Sequence, residues 1–247
     1  MYLEFGEVMM IKAVFFDLDG TLLPLREKEF IQYYFGNLGK KFAGFGYDPQ
    51  AIINAVWEGT KAMRDNDGML SNEKVFWPVF EKLIPGDHDF FESTFLDFYS
   101  NDFDKVKHST MPSKIPAQII RFLKAKGYRT VLATNPLFPV VATHKRIGWA
   151  GLDPTDFELI TTYENHHYSK PNLAYYKSLL EKTNLSPEEV LMVGNDAHED
   201  MISSQLGFDT YLLTDCLNNE FEKDIEQFKH GTMEELFEYI QTFKEVI

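Results

Sequence analysis

Short apolar runs alternate with helical patterns along much of the chain. Ile11 to Asp17 (IKAVFFD) is a short apolar run with β-branched and aromatic residues. A run of that length without polar alternation predicts a strand buried on both faces, as in a parallel sheet. Asp19, Gly20 and Thr21 supply the turn that ends it. Arg129 to Thr134 (RTVLAT), Val190 to Val193 (VLMV) and Thr210 to Leu213 (TYLL) repeat the pattern, and Phe157 to Thr161 (FELIT) is a further candidate strand. Between them lie helical patterns with cores at Ile115 to Lys126, Phe138 to Ile147, Asn172 to Thr183 and Glu199 to Leu206. Ser186 and Pro187, followed by two Glu, open a helical turn just before the Val190 strand. Strands that alternate with helices predict βαβ units, a parallel sheet and right-handed crossovers.

From Leu22 to His108 the period changes. Phe30, Tyr34, Leu38 and Phe42 recur every four residues; Ile52, Val56, Trp57 and Met63 form a second stripe, with Asp48 and Pro49 as cap and first turn. Val75, Val79, Phe80 and Leu83 form a third, and Phe91, Phe95, Phe98 and Tyr99 a fourth. Gly44, Gly46, Gly68 and Pro85-Gly86 separate them, so the expectation is a small bundle of four amphipathic helices. Residues 1–21 and 109–247 then make an α/β domain, Rossmann-like with helices on both faces of its sheet. Residues 22–108 make a helical domain inserted after the first strand. A last amphipathic helix is expected around Leu236, Phe237 and Ile240.

Charge and composition narrow the partners. The 247 residues carry 24 Lys+Arg against 38 Asp+Glu, a formal charge of −14. That balance argues against nucleic acid, whose phosphates are gripped by clustered cations. No apolar run approaches the 18 or so residues of a membrane span. Glu4 and Glu7 precede the first cation, Lys12, which is the wrong order for a secretory signal. Met9 and Met10 stand just before the first strand, so the leading residues read as a dispensable extension. Cys216 is the single cysteine, and a chain without an internal disulfide fits a reducing cytoplasm. The pattern leaves the oligomeric state open.

Ligands of an open parallel sheet bind beyond the carboxyl ends of its strands. Those ends are polar here: Asp17, Asp19, Gly20 and Thr21 after the first strand, Thr134 and Asn135 after the second, Ser169, Lys170 and Pro171 before the Asn172 helix, and Gly194, Asn195, Asp196 and Asp200 after the Val190 strand. DLDGT, ATN, SKP and VGNDAHED, in that order and each at an expected strand end or helix start, resemble the four motifs of the haloacid dehalogenase (HAD) superfamily. The resemblance runs from about Ile11 to Leu213, and the insert falls where that superfamily places a helical cap.

The residues carry a chemistry of their own. Carboxylates that converge at one sheet edge repel one another, and burying them is costly unless a cation is present. Oxygen ligands of this kind suit Mg2+, which keeps waters and binds one or two carboxylates plus a phosphate. No Cys or His spacing suits zinc. With Mg2+ and Lys170 offsetting the charge, a phosphoryl group can enter and Asp17 can attack phosphorus.

The resemblance implies roles for these positions. Asp17 matches the nucleophile that forms an aspartyl-phosphate, and Asp19 the general acid and base. Thr134, with Asn135 beside it, and Lys170 match the phosphate-binding positions. Mg2+ would be held by Asp17, the backbone carbonyl of Asp19, and Asn195 or Asp196, with Asp200 in support. The implied activity is a Mg2+-dependent phosphatase acting on a small phosphorylated metabolite. A phosphomutase of the same superfamily, or a phosphate-binding module without turnover, would show the same motifs. Carbon–halogen cleavage is disfavoured, because members with that activity lack the second Asp.

Each position also has a plainer reading. Asp17 and Asp19 suit an Asx-type turn, Thr134 and Asn135 an ordinary turn before Pro136, Lys170 a solvated lysine, and Asp200 the first turn of a helix. His166 and His167 read as a surface loop. Arg26, Lys61 and Arg64 read first as solvated cations, with an anionic substrate as the alternative. The aromatic stripes read first as packing, with some ring tips lining a substrate pocket as the alternative. The insert is expected to close over the sheet edge, with 22–24 and 108–112 as hinges.

Overall fold

The computed structural model describes residues 11–246, and the leading segment with Met9 and Met10 lies outside them. Six parallel strands form one sheet in the order β3-β2-β1-β4-β5-β6. They are β1 (Ala13–Phe16), β2 (Arg129–Leu132), β3 (Leu159–Ile160), β4 (Val190–Gly194), β5 (Asp209–Leu213) and β6 (Lys229–Gly231). All four residues of β1 are buried, as its unbroken apolar run requires. β1 pairs with β2 on one side and β4 on the other, Phe16 standing opposite Leu132 and Val193. The strand order therefore reverses at β1, and that reversal opens a crevice beyond the strand ends.

The two faces of the sheet are covered differently. Val14 and Phe16 point to one side with Leu132, Leu191 and Val193. There they meet α5 (Ile115–Ala125), α6 (Val140–Trp149) and α8 (Met233–Gln241) through Ile119, Ile120, Ala142, Ile147, Leu236 and Ile240. Ala13 and Phe15 point to the other side with Val131 and Met192, against Tyr175, Tyr176 and Leu179 of α7 (Leu173–Thr183). Complete burial of a side chain such as Phe15 or Phe16 is worth about 1.5–3 kcal/mol, so the two layers hold the sheet firmly.

Between β1 and α5 the chain forms α1 (Glu27–Ala43), α2 (Pro49–Arg64), α3 (Asn72–Leu83) and α4 (His88–Asp97). A wide turn over Phe98–Asp102 and a 3-10 segment over Phe103–Ser109 then lead back to the sheet. Asp48 caps α2 by accepting from the Gln50 N–H, and Ser71 caps α3 by accepting from the Lys74 N–H. The first and fourth stripes are buried as their spacing requires. In the second, Ile52, Val56 and Met63 are buried and only Trp57 departs; the third is rotated. Trp57 stands 47% exposed and Leu83 48% exposed, while Ala55, Phe76 and Trp77 turn inward. The two ends of the insert meet. Leu25 bridges Thr110, and the Met111 N–H donates to the Pro24 carbonyl at 2.7 Å.

Other elements differ from the pattern. Residues 201–206 form a short 3-10 helix rather than an α-helix, stopped by Gly207 in the left-handed conformation. β3 has shrunk to two residues, and β6 lies where only an acidic tail was legible. Among the described residues, no helix is long and apolar enough to cross a membrane.

Candidate active site

The loop after β1 is built to hold its carboxylates in place. The Asp17 N–H donates to the Val193 carbonyl of β4 at 2.9 Å, so the first carboxylate leaves the sheet between two paired strands. The chain then folds back, with Leu23 donating to Leu18 at 2.8 Å and Gly20 to Leu23 at 2.9 Å. Gly20 has φ +83, and a Cβ there would lie 2.4 Å from the Asn195 amide. Glycine is needed both for the left-handed turn and for this close approach.

Lys170 lies behind this loop and is 1% exposed. Its Nζ donates to Asp17 Oδ1 at 2.9 Å and to Asp200 Oδ1 at 2.6 Å. Burial alone would favour the neutral amine, but Asp17 and Asp200 together hold the Lys170 pKa well above the ordinary lysine range. The other Asp200 oxygen accepts from the Asp196 N–H at 3.0 Å. Asp200 thus anchors both the lysine and the loop after β4, which goes beyond a first-turn charge.

Asn195 and Asp196 are both engaged, in different ways. Asn195 Oδ1 accepts from the Thr21 hydroxyl at 2.9 Å, and its Nδ2 donates to the Cys216 carbonyl at 2.8 Å. Asp196 Oδ1 accepts from the N–H groups of His198 and Glu199, both at 2.7 Å, and Oδ2 accepts from Asn218 at 2.8 Å. Asn135 Nδ2 donates to Glu199 at 2.8 Å and its Oδ1 accepts from the Lys170 N–H at 3.3 Å. Thr134 is buried at the end of β2, its carbonyl held by Thr161 and Tyr175.

One cavity of about 520 Å3 gathers the side chains of Asp17, Asp19, Thr134, Asn135, Asn195, Asp196 and Asp200. Lys170 stands behind its wall and reaches it through Asp17. Phe30, Tyr34, Phe35, Trp57, Phe76, Trp77, Phe95 and Tyr99 of the insert line the opposite side. Several aromatic residues read first as packing therefore also face the cavity. The Asp19 carboxyl is raised above its ordinary pKa by burial; Arg146 opposes the shift and Asp17 adds to it.

Arg146, Glu199 and Asn72 have no counterpart in the sequence reading. Arg146 is 1% exposed, pairs with Asp19 Oδ2, and stacks its guanidinium 4.3 Å from the Phe138 ring centroid. Its sequence signal is faint: a cation between Ala142 and Ile147 on the buried face of α6. Glu199 joins Asn135 to Arg64, whose Nη2 stands 3.6 Å from Glu199 Oε1. Asn72, fully buried at the start of α3, donates to the Pro136 carbonyl at 3.0 Å and to Ser169 Oγ at 3.2 Å. It stitches the insert to two of the motif loops.

Arg26 and Lys61 are exposed. The two adjacent histidines divide. His167 is exposed, whereas His166 is buried, with its Nε2 2.8 Å from Ser178 Oγ. Burial, aided by Lys182, drives the His166 pKa down to about 3, so the ring is neutral. The surface-loop reading is thus corrected for His166.

The donor set fits a hard divalent cation. The side chains of Asp17, Asn195, Asp196 and Asp200 offer carboxylate and amide oxygen. Among the described residues no His lines the cavity, and Cys216 is the one sulfur there. Asp19 Oδ1 is buried without a hydrogen-bond partner among the described residues and is left for proton transfer. No group of three or more His, Cys, Asp or Glu side chains is spaced for a metal among the described residues. Any cation here must draw on a mixed set that includes Asn195 or a backbone carbonyl.

A parallel sheet whose order reverses at a carboxylate-bearing strand end, facing a helical insert, defines a fold of the α/β class with a ligand crevice at that end. The family model for haloacid dehalogenase-like hydrolases matches residues 11–205, and the chain belongs to that family. It is 24% identical over 242 residues to a glyceraldehyde 3-phosphate phosphatase of Methanothermobacter thermautotrophicus, covering 96% of this chain and all of that one. Its fold is similar to a HAD phosphatase from Thermococcus onnurineus (TM-score 0.60, 19% identity, 96% of this chain and 100% of the other). It is also similar to the HAD hydrolase YfnB from Bacillus subtilis, described as bound to magnesium and showing interdomain movement (TM-score 0.54, 17% identity, 94% and 99% covered).

Proposed function

We propose that the protein is a Mg2+-dependent phosphatase that cleaves a phosphate monoester through an aspartyl-phosphate on Asp17. The observation that carries this reading is the buried Lys170 ammonium, held between Asp17 at 2.9 Å and Asp200 at 2.6 Å, with Asp19 on the same cavity. A lysine so placed offsets the charge of the carboxylates around it and lowers the cost of bringing a phosphate dianion beside Asp17.

In this reading an Asp17 oxygen forms the new bond to phosphorus while the ester P–O bond breaks. Asp19, whose carboxyl is raised by burial, gives its proton to the departing alcohol oxygen. Water then attacks the phosphorus of the aspartyl-phosphate, and Asp19 takes up the water's proton. Asp17 is freed and inorganic phosphate leaves. Thr134 and Asn135 supply hydrogen bonds to the phosphoryl oxygens at the end of β2.

The residues suited to hold Mg2+ are Asp17, the Asp19 carbonyl, and Asn195 or Asp196. Asn195 is the better of the last two, because its Oδ1 accepts one hydrogen bond, from Thr21, whereas Asp196 accepts two within its own turn and a third from Asn218. The cation supplies charge that screens phosphate from the carboxylates. The insert, 22–108, acts as a cap over the remaining domain and keeps water from the reacting phosphoryl group.

Phosphate release from an aryl phosphate tests the reading. Turnover is expected with Mg2+, to be lost on chelation and in Asp17→Asn. Unchanged activity in that variant would remove Asp17 as nucleophile.

A further inference from the structure

The cavity wall opposite the carboxylates is aromatic. Phe30, Phe35, Trp57, Phe76, Trp77 and Phe95 present ring surface to it. The hydroxyls of the insert that reach it are largely committed. Tyr34 and Tyr99 bond to each other at 2.8 Å, which leaves the pair a single O–H to offer. Thr60 donates to the Val56 carbonyl at 2.8 Å.

Charge restricts the occupant further. Among the described residues that line the cavity, Arg64 is the one Lys or Arg, and it already faces Glu199 at 3.6 Å. Asp17, Asp19, Glu27, Asp196, Glu199 and Asp200 line the same space. One phosphoryl group can be received at the Asp17 corner with the help of Lys170 and Mg2+. A second anion has no free cation to meet.

At about 520 Å3 the cavity lies in the range that encloses a drug-sized molecule, about 300–1,000 Å3. A three-carbon ester would leave the aromatic wall facing water. Glu27 is the carboxylate that the insert adds to this wall, so a sugar could bond there, but its hydroxyls set against the ring faces would lose their water without replacement.

We propose that the cavity selects monophosphate esters of apolar, ring-bearing alcohols over phosphorylated polyols and over substrates with a second phosphate or carboxylate. The inference rests on the phosphatase reading only in assigning the phosphate to the Asp17 corner.

The test compares esters of primary alcohols, so that leaving-group acidity does not decide the result. With Mg2+, kcat/KM for 2-phenylethyl phosphate is expected to exceed that for glycerol 1-phosphate, glucose 6-phosphate and fructose 1,6-bisphosphate by at least about tenfold. In Trp57→Ala, a half-exposed position whose loss the fold can bear, that advantage should fall at least about threefold. Equal or faster turnover of any of the other three esters overturns the proposal.

A binding measurement separates this inference from the phosphatase reading. Calorimetry on the Mg2+-loaded protein compares 3-phenylpropylphosphonate with 3,4-dihydroxybutylphosphonate, neither of which has an ester to hydrolyse. Tighter binding of the phenyl compound by about tenfold or more supports the apolar site, even if no ester is hydrolysed. Equal affinities sink it, even if turnover is found.

Discussion

The two sides of the cavity are made of different physics. At the sheet edge, Asp17, Lys170, Asp200, Asn195 and Asp196 are fixed by directional bonds between loops distant in sequence. On the insert side, rings pack edge to face or stacked, as in Phe76 on Phe80 at 5.7 Å and Phe80 on Phe95 at 5.4 Å. Directional bonds tolerate little displacement and suit a reaction that needs atoms aligned. Ring packing is worth about as much per residue but specifies shape and apolarity rather than a reaction. The difference teaches that changes at the edge should alter turnover for every substrate, and changes on the wall should alter which substrate is preferred.

The sharpest way to break that division is Asp17→Asn, expected to lower kcat by at least about 10^4-fold while phosphonate binding persists. Asp19→Asn should cost about 10^2–10^4-fold on an alkyl ester. The loss should be smaller on an aryl phosphate, whose leaving group needs no proton; an equal loss on both esters would remove Asp19 as proton donor. Arg146→Met probes the cation behind Asp19. It leaves Asp19 enclosed without its cation, for a loss near ~3 kcal/mol in urea unfolding. This low-end value reflects the 30% of the Asp19 side chain that still meets solvent. Adding Asp19→Asn should restore part of the loss, and strict additivity would show that the two do not interact.

His166 offers the smallest effect and a control outside both regions. Its folded pKa, about 3, lies below the ordinary value near 6.5, so the unfolded chain takes up the proton first. The stability it contributes is complete above pH ~6.5 and declines as pH falls towards 3, by about 2 kcal/mol at pH 5. Equilibrium unfolding between pH 7 and 5 should show a flatter profile in His166→Gln, with substrate preference unmoved. A profile identical to the parent's would clear His166 of this role.

Legibility in the sequence followed the same physical divide. β1, β2, β4 and β5 announce themselves because a strand covered on both faces must be apolar throughout, and the motif residues at their ends stand out as polar interruptions. β6, Lys-His-Gly, carries no such signal, since an edge strand of three residues needs only backbone partners. Arg146 and Asn72 were hidden for another reason. Each is a polar residue inside a helical pattern, and the partners that place it at the site are remote: Asp19 is 127 residues from Arg146, and Pro136 and Ser169 are 64 and 97 from Asn72. Local pattern cannot distinguish such a residue from one that faces solvent. The rotated stripe of α3 shows the converse, because Phe76, Trp77 and Phe80 on several sides of the helix leave its inward face underdetermined.

The two chain crossings into and out of the insert lie side by side, joined by the Leu25–Thr110 bridge and the hydrogen bond from Met111 to Pro24. A segment attached at a single doorway can be exchanged for another without re-threading the strands beneath it. Substrate choice can therefore drift by grafting, while the reaction centre is inherited intact.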